Sequence, residues 1–323
     1  MNKKIESILI AFVLFVFSLY VFTNSQTIIE SIRFSVSLWM NQLIPSLFPF
    51  FFLSELMIQY GIVEFLGELF RPFMNKIFHL GGECAFVLAM SMISGFPSGA
   101  KYTRSLLDEG KITTKEANHL ITFTHFSNPL FILGTVGTIL LQNQSLAILI
   151  LFCHYITNFI IGFLFRSKQS IPSHKTDFRT AIIKMHNYRV SNHQSFGTVL
   201  KNATFHTFQT LLLMLGVITF FLMITSLFRT WIPLSSTKTA LFSGILEMTQ
   251  GIYAVSQLMI PTTWIALLIT FFLSFGGLSV HMQVYSIIGD SKIKYDPFFV
   301  ARLLHGGISC LLLYGCLSLF RLL

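Results

Sequence analysis

Long apolar runs separated by short polar stretches fill this chain, and four of them are interrupted by Gly, Pro, Ser or Asn. The first run, 5–22, follows Lys3-Lys4 and predicts a retained first span. It is long for a signal peptide, and no small-x-small cleavage site follows it. Residues 32–60 predict a second span, kinked at Pro45 and Pro49 because proline removes a backbone donor. Glu55, near its far end, reads as structural. In 61–80, Glu64, Glu68, Arg71 and Asn75 fall on one helical face. Ile62, Phe65, Leu66, Leu69, Phe73 and Ile77 fall opposite, which predicts an amphipathic interfacial helix bent at Pro72.

The stretch Ser94-Gly95-Phe96-Pro97-Ser98-Gly99-Ala100-Lys101 separates two apolar arms within 83–110, each too short to span. It predicts a re-entrant hairpin with an unwound tip, tolerated in a membrane only where protein or a watery cavity supplies partners. Thr113-Thr114-Lys115-Glu116 predicts a helix start. The run 116–141 is broken at Ser127-Asn128-Pro129, and 145–165 is a plain span. After the polar, basic segment 166–201 come a span at 204–228 and a second tip, Ser243 to Gly251, inside 239–260. A span at 264–288, broken at Gly276-Gly277-Leu278-Ser279, and a last span at 298–320 complete the chain. Both halves thus share one element order.

Composition sets the class. Of 323 residues, 53% are hydrophobic, 36 are Phe and only 11% are charged, which predicts an all-α polytopic membrane protein. The net charge of +9 does not point to nucleic acid, because no basic-aromatic platform or helix-turn-helix pattern is present. With the N-terminus inside and both tips re-entrant, all but Arg33, Arg229, Lys238 and Arg321 of the 22 Lys and Arg fall on the inner side. The halves then run in opposite directions, as an inverted repeat with two re-entrant hairpins and two broken transmembrane helices, the pattern of secondary transporters. The expected organisation is an N-terminal anchor at 1–30, a first repeat at 31–165, a basic cytoplasmic linker at 166–203 and a second repeat at 204–323. Cys84, Cys153, Cys310 and Cys316 form no CxxC and read as packing residues. The histidines include no HExxH, so no metal site is expected.

Leu43-Ile44-Pro45-Ser46-Leu47-Phe48-Pro49-Phe50, Ser94-Gly95-Phe96-Pro97-Ser98-Gly99-Ala100-Lys101, Phe126-Ser127-Asn128-Pro129 and Gly244-Ile245-Leu246-Glu247-Met248-Thr249-Gln250-Gly251 together resemble the YlbJ family of sporulation integral membrane proteins. That family carries the nucleoside-recognition Gate domain and is distantly similar to concentrative nucleoside transporters. The resemblance runs from about residue 31 to the C-terminus. It implies movement of dipicolinate, a small aromatic dicarboxylate, during spore formation, across a forespore membrane where the source sporulates. A nucleoside-type transporter or a non-transporting scaffold of a sporulation complex are the alternatives.

A dicarboxylate needs positive potential, aimed N–H groups and an apolar wall. Gly99-Ala100-Lys101 opens the second arm of the first hairpin, where a helix N-terminus favours an anion. Lys101 either adds a full charge there or snorkels to the headgroups. The candidate substrate-binding set is Ser94, Gly95, Pro97, Ser98, Gly99, Lys101, Ser127, Asn128, Glu247, Thr249, Gln250, Gly276, Gly277 and Ser279. Glu247 lies centrally in an apolar segment, where a charge is costly and functional. It can take a coupling proton, ligate Na+ or pair with Lys101. His281 and Gln283 are lesser candidates. No organic cofactor and no catalysis are expected: Ser98-x-x-Lys101 lacks the companion motifs of penicillin-binding enzymes, and Gly95 to Lys101 has the wrong spacing for a P-loop. The expected partners are a small organic anion and the bilayer, with homo-oligomerisation left open and nucleic acid excluded.

Overall fold

The computed structural model describes residues 3–167, 177–232 and 234–319. Three helices open the chain: α1 (Lys3–Thr23), α2 (Ser25–Leu38) and, after a π-helical turn Trp39–Leu43, α3 (Ile44–Gln59). Next come α4 (Ile62–Phe78), α5 (Cys84–Ser94), α6 (Ser98–Asp108) and α7 (Thr114–Phe123). A π-helical segment, Phe131–Leu140, and α8 (Gln144–Leu164) complete this half. The rest comprises α9 (Phe178–Ser191), α10 (Phe196–Trp231), α11 (Ser236–Leu246), α12 (Met248–Ser256), α13 (Thr262–Phe275), α14 (Gly277–Ile288) and α15 (Tyr295–Leu319). The described residues contain no strand. Part of the basic linker, 168–176, and the C-terminal end with Phe320 and Arg321 lie outside the described residues.

Five helical stretches are long and apolar enough to cross a membrane: Lys4–Thr23, Gln144–Leu164, Phe196–Trp231, Thr262–Ile288 and Tyr295–Leu319. The pair Ser25–Leu43 and Leu47–Gln59, bent by 58°, makes a sixth when counted as one span. The bend brackets Pro45, whose ring and missing N–H break the helical ladder, and the π turn just before it absorbs the irregularity. Pro49 lies inside α3. The second span starts earlier than the sequence suggests, at Ser25, with only Asn24 separating it from α1.

The amphipathic reading of α4 holds in pattern but not in what covers each face. Glu68 and Asn75 are buried, whereas Leu69, Phe70 and Phe73 are exposed. The charged face is roofed by protein. Lys184 of α9 reaches Glu68 at 2.5 Å, Arg71 lies 3.2 Å from Glu68 and 3.4 Å from Glu83, and Lys111 bonds Glu64 at 2.8 Å. Phe178 of α9 packs edge-on against Phe65. Burial alone would raise the Glu68 pKa; the hydrogen bond and charge of Lys184, with Arg71, outweigh it and hold the carboxyl below its ordinary value.

Two apolar cores position the site. One joins α4–α7 to α14 and α15 through residues such as Phe78, Phe86, Phe123, Phe126, Val284 and Phe298. The other joins the Phe131–Leu140 segment and α8 to α11–α13 and α15 through Ile132, Ile150, Met248, Phe272 and Leu313. Smaller clusters seat α10 on α2 and α3, where Trp39 Nε1 donates to the Leu211 carbonyl at 2.8 Å.

Candidate functional site

Each expected interruption is present, and glycine is what lets the interrupted backbones touch. α5 ends at Ser94, and Gly95 takes φ +81° before the cis Phe96–Pro97 bond and the start of α6. A Cβ on Gly95 would lie 2.6 Å from the Asn128 nitrogen, and one on Gly99 only 1.9 Å from the Thr124 carbonyl oxygen. The first tip is therefore pressed onto the non-helical stretch after α7. Phe96 N–H donates to the Phe126 carbonyl at 2.7 Å, and Asn128 Nδ2 donates to the Ser94 carbonyl at 3.2 Å. Asn128 Oδ1 accepts from Leu130 N–H at 2.7 Å. One side chain thus stitches the tip to the break.

The second pair is built the same way. α11 and α12 meet at Glu247, whose carboxylate accepts the N–H of Thr249 at 3.1 Å and of Gln250 at 2.7 Å, capping α12. Gly251 lies against Gly244, so a Cβ there would sit 2.0 Å from the Gly244 Cα. Gly276 and Gly277 take φ +90° and +68° between α13 and α14. A Cβ on Gly277 would fall 3.0 Å from the Met248 nitrogen, and one on Gly276 3.1 Å from His125 Nε2. The four interruptions therefore form one contiguous group.

At that meeting point lies a cavity of about 480 Å³. Ser127, Asn128, Glu247, Thr249 and Gln283 line it, with Asn41, Gln42, Thr135 and Thr138. Its apolar wall includes Leu43, Leu47, Phe96, Phe131, Met214 and Val280. Ser127 Oγ, Ser279 Oγ and Gln283 Oε1 are buried and have no hydrogen-bond partner among the described residues. The lining holds one carboxylate, Glu247, and no Lys or Arg. α6, the Phe131–Leu140 segment, α12 and α14 all begin at this group of breaks, α12 with Glu247 as its cap.

Not every expected site residue reaches the cavity. Ser94 and Ser98 are buried and bond nearby backbone, Ser94 Oγ to the Met90 carbonyl at 2.5 Å and Ser98 Oγ to the Gly95 carbonyl. With Gly95, Pro97 and Gly99 they shape the tip. Gln250 lines two other cavities, beside Arg229. Lys101 is neither on the cavity nor paired with Glu247. Its Nζ lies 2.8 Å from Glu55 and over the Phe51 ring at 5.1 Å, and His206 of α10 meets the other Glu55 oxygen at 3.2 Å. The partner of Lys101 is thus the carboxylate read from sequence as structural. His281 is a packed hydrogen-bonder, with Nε2 3.0 Å from the Phe275 carbonyl and Nδ1 2.7 Å from the Tyr295 hydroxyl.

A second polar cluster escaped the sequence reading, which counted Arg302 only among the inner-side charges. Arg302 lies in α15 and is fully buried. Arg302 Nη2 donates to the Thr122 carbonyl and, at 3.3 Å, to Asn158 Oδ1. Its Nη1 donates to His305 Nδ1 at 2.7 Å and to the His125 carbonyl at 3.4 Å. The signal was present: Phe298, Ala301, Arg302, His305 and Ser309 recur at helical spacing, and all are buried.

A family model described as "Gate: Nucleoside recognition" matches residues 40–143, which contain the first tip and the Ser127-Asn128-Pro129 break. The chain is 37% identical over 330 residues to the sporulation integral membrane protein YlbJ of Bacillus subtilis (strain 168), covering 94% of this chain and 81% of that protein. No solved structure matches it. With that identity across nearly its whole length, and with helices long and apolar enough for several crossings, this chain is a multi-pass integral membrane protein belonging to the YlbJ family of sporulation integral membrane proteins.

Proposed function

We propose that this protein is a membrane transporter of a small organic anion, dipicolinate by family resemblance, working by alternating access around the central cavity. One observation carries the reading: four helix interruptions meet at a largely apolar cavity lined by Ser127 Oγ and Gln283 Oε1, both buried and without a partner among the described residues. Unwound backbone inside a membrane protein is costly unless it serves a ligand or a wet pathway. A volume of about 480 Å³ suits a small molecule. In this reading the apolar wall takes the ring, and Ser127, Asn128, Thr249 and Gln283 meet the polar edge. The halves act as an inverted repeat with the N-terminus inside, the tips being re-entrant. Glu247 takes the coupling ion, H+ or Na+.

A nucleoside-type ligand is the second reading. It is favoured by the absence of Lys and Arg from the lining, by the presence of Glu247, and by the description of the matching family model. A ligand-stabilisation screen of the purified protein with dipicolinate, nucleosides and related carboxylates separates the two, because binding to the native state alone raises the melting temperature. Dipicolinate is expected to stabilise most. Glu247→Gln is expected to abolish uptake into liposomes while leaving membrane insertion intact. If no carboxylate or nucleoside shifts the melting point and none enters the liposomes, the transporter reading fails and the scaffold alternative stands.

A further inference from the structure

Arg302 carries a full charge in a fully buried position, and every partner it has is neutral: two backbone carbonyls, the Asn158 amide and His305. Among the described residues no Asp or Glu pairs with it, and its Nε has no partner. His305 and His154 are neutral by their bonding. His305 Nδ1 accepts from Arg302, so its Nε2–H donates to the His154 carbonyl at 2.9 Å. His154 Nε2 accepts from Ser127 N–H at 2.9 Å, so its Nδ1–H donates to Ser274 Oγ at 3.1 Å. Ser274 in turn meets Ser309 Oγ at 2.8 Å. The charge is thus cancelled by none of its neighbours. An isolated buried charge is strongly unfavourable, so its retention calls for a compensating role.

The position of Arg302 supplies that role. The carbonyls it binds, Thr122 and His125, belong to the stretch whose next residues, Ser127 and Asn128, line the cavity. The His125 ring stacks on Phe96, another lining residue, at 4.8 Å with planes 13° apart, and the opposite cluster contact is Phe298 at 5.1 Å. Arg302 is therefore one side-chain layer behind a cavity that has no cation of its own.

We propose that Arg302 is the residue that makes the central cavity select an anion, acting through space on a ligand it does not touch. This rests on the small-organic-anion reading of that cavity and assigns its charge selectivity to one residue. Bare helix N-termini attract neutral acceptors as well as anions. A unit charge favours only the charged ligand, by on the order of tenfold at the effective dielectric constant of a protein interior.

The test compares pyridine-2,6-dicarboxylate with its neutral diamide on the purified full-length protein, by equilibrium binding. Arg302→Gln removes the charge. Asn158→Asp keeps the arginine and places a carboxylate against it, so it serves where Arg302→Gln does not fold. In whichever variant retains a cooperative melt, the dicarboxylate is expected to bind about tenfold more weakly, with diamide affinity unchanged. Arg302→Lys is expected to retain the preference. Equal weakening of both ligands, or no weakening of either, overturns the proposal and leaves Arg302 as a cap on the α7 break. Failure of the wild-type protein to bind either ligand overturns the dicarboxylate reading of the cavity, and this inference with it.

Discussion

Gly99 and Gly110 differ in what a methyl group would meet. A Cβ on Gly99 would collide with the Thr124 carbonyl oxygen at 1.9 Å, in the backbone contact that joins the first tip to the non-helical stretch after α7. Nothing lies within 4 Å of a Cβ on Gly110, where only the positive φ of +68° resists substitution. Gly99→Ala is therefore expected to destabilise the protein by about 3 kcal/mol, in the range of overpacked cores. Gly110→Ala should cost about 1 kcal/mol. Thermal melts of both variants in detergent check the pair, and equal shifts would mean that the tip contact is not tight. Near one of these glycines, Lys101 shows the limit of reading residues singly. The tip and its glycines follow from local chemistry, but the partner of Lys101 is Glu55, on another helix.

Two elements make separable tests. α7 opens with a reciprocal cap: Thr113 Oγ1 accepts from Glu116 N–H at 3.3 Å, and the Glu116 carboxylate accepts from Thr113 N–H at 2.9 Å and Gly81 N–H at 2.8 Å. Thr113→Ala should cost about 1 kcal/mol in a melt. The docking of α9 on α4 is electrostatic in part and so depends on pH. The folded-state pKa of Glu68 is depressed by Lys184 and Arg71 against the opposing effect of burial. Its contribution is thus present above the unfolded-state value and is lost as pH falls through the folded-state value. Lys184 is 44% exposed, so the loss is less than about 1 kcal/mol. Amide hydrogen exchange in α9, compared between wild type and Glu68→Gln at each pH, should converge in acid and diverge above it. Constant separation would place the docking energy in the Phe65–Phe178 contact instead.

Across the whole molecule, the Lys101–Glu55–His206 group ties the first hairpin to α3 and to α10 of the second half. Lys101→Ala leaves a carboxylate that is 8% exposed with His206 alone, so it is expected to destabilise the fold by about 3 kcal/mol. Lys101→Met with Glu55→Leu should recover most of that, since replacing both charges removes the unpaired group. A double-mutant cycle read by melting temperature decides it. Additive effects would show that the pair does not couple the halves. Loss of uptake in Lys101→Ala would then trace to a loosened hairpin, because this side chain does not line the cavity.

The hydrophobic pattern by itself determined the all-helical membrane architecture, the four interruptions, the Pro45 bend and the α7 start, because periodicity, proline and capping act within a turn or two of chain. Ser127, Asn128, Glu247 and Thr249 were legible as candidates for the same reason: polar residues at a break in an apolar run are costly wherever that run ends up. Packing decided the rest. Sequence could not show that the charged face of α4 is covered by α9, because amphipathicity gives a face but not its partner. Nor could it show that Arg302 is buried against groups 144 and 180 residues away. A charge near the start of an apolar helix looks the same whether it meets water or a neutral cage. Only the close approach of distant backbones, at glycines that leave no room for a side chain, turns four separate interruptions into one cavity.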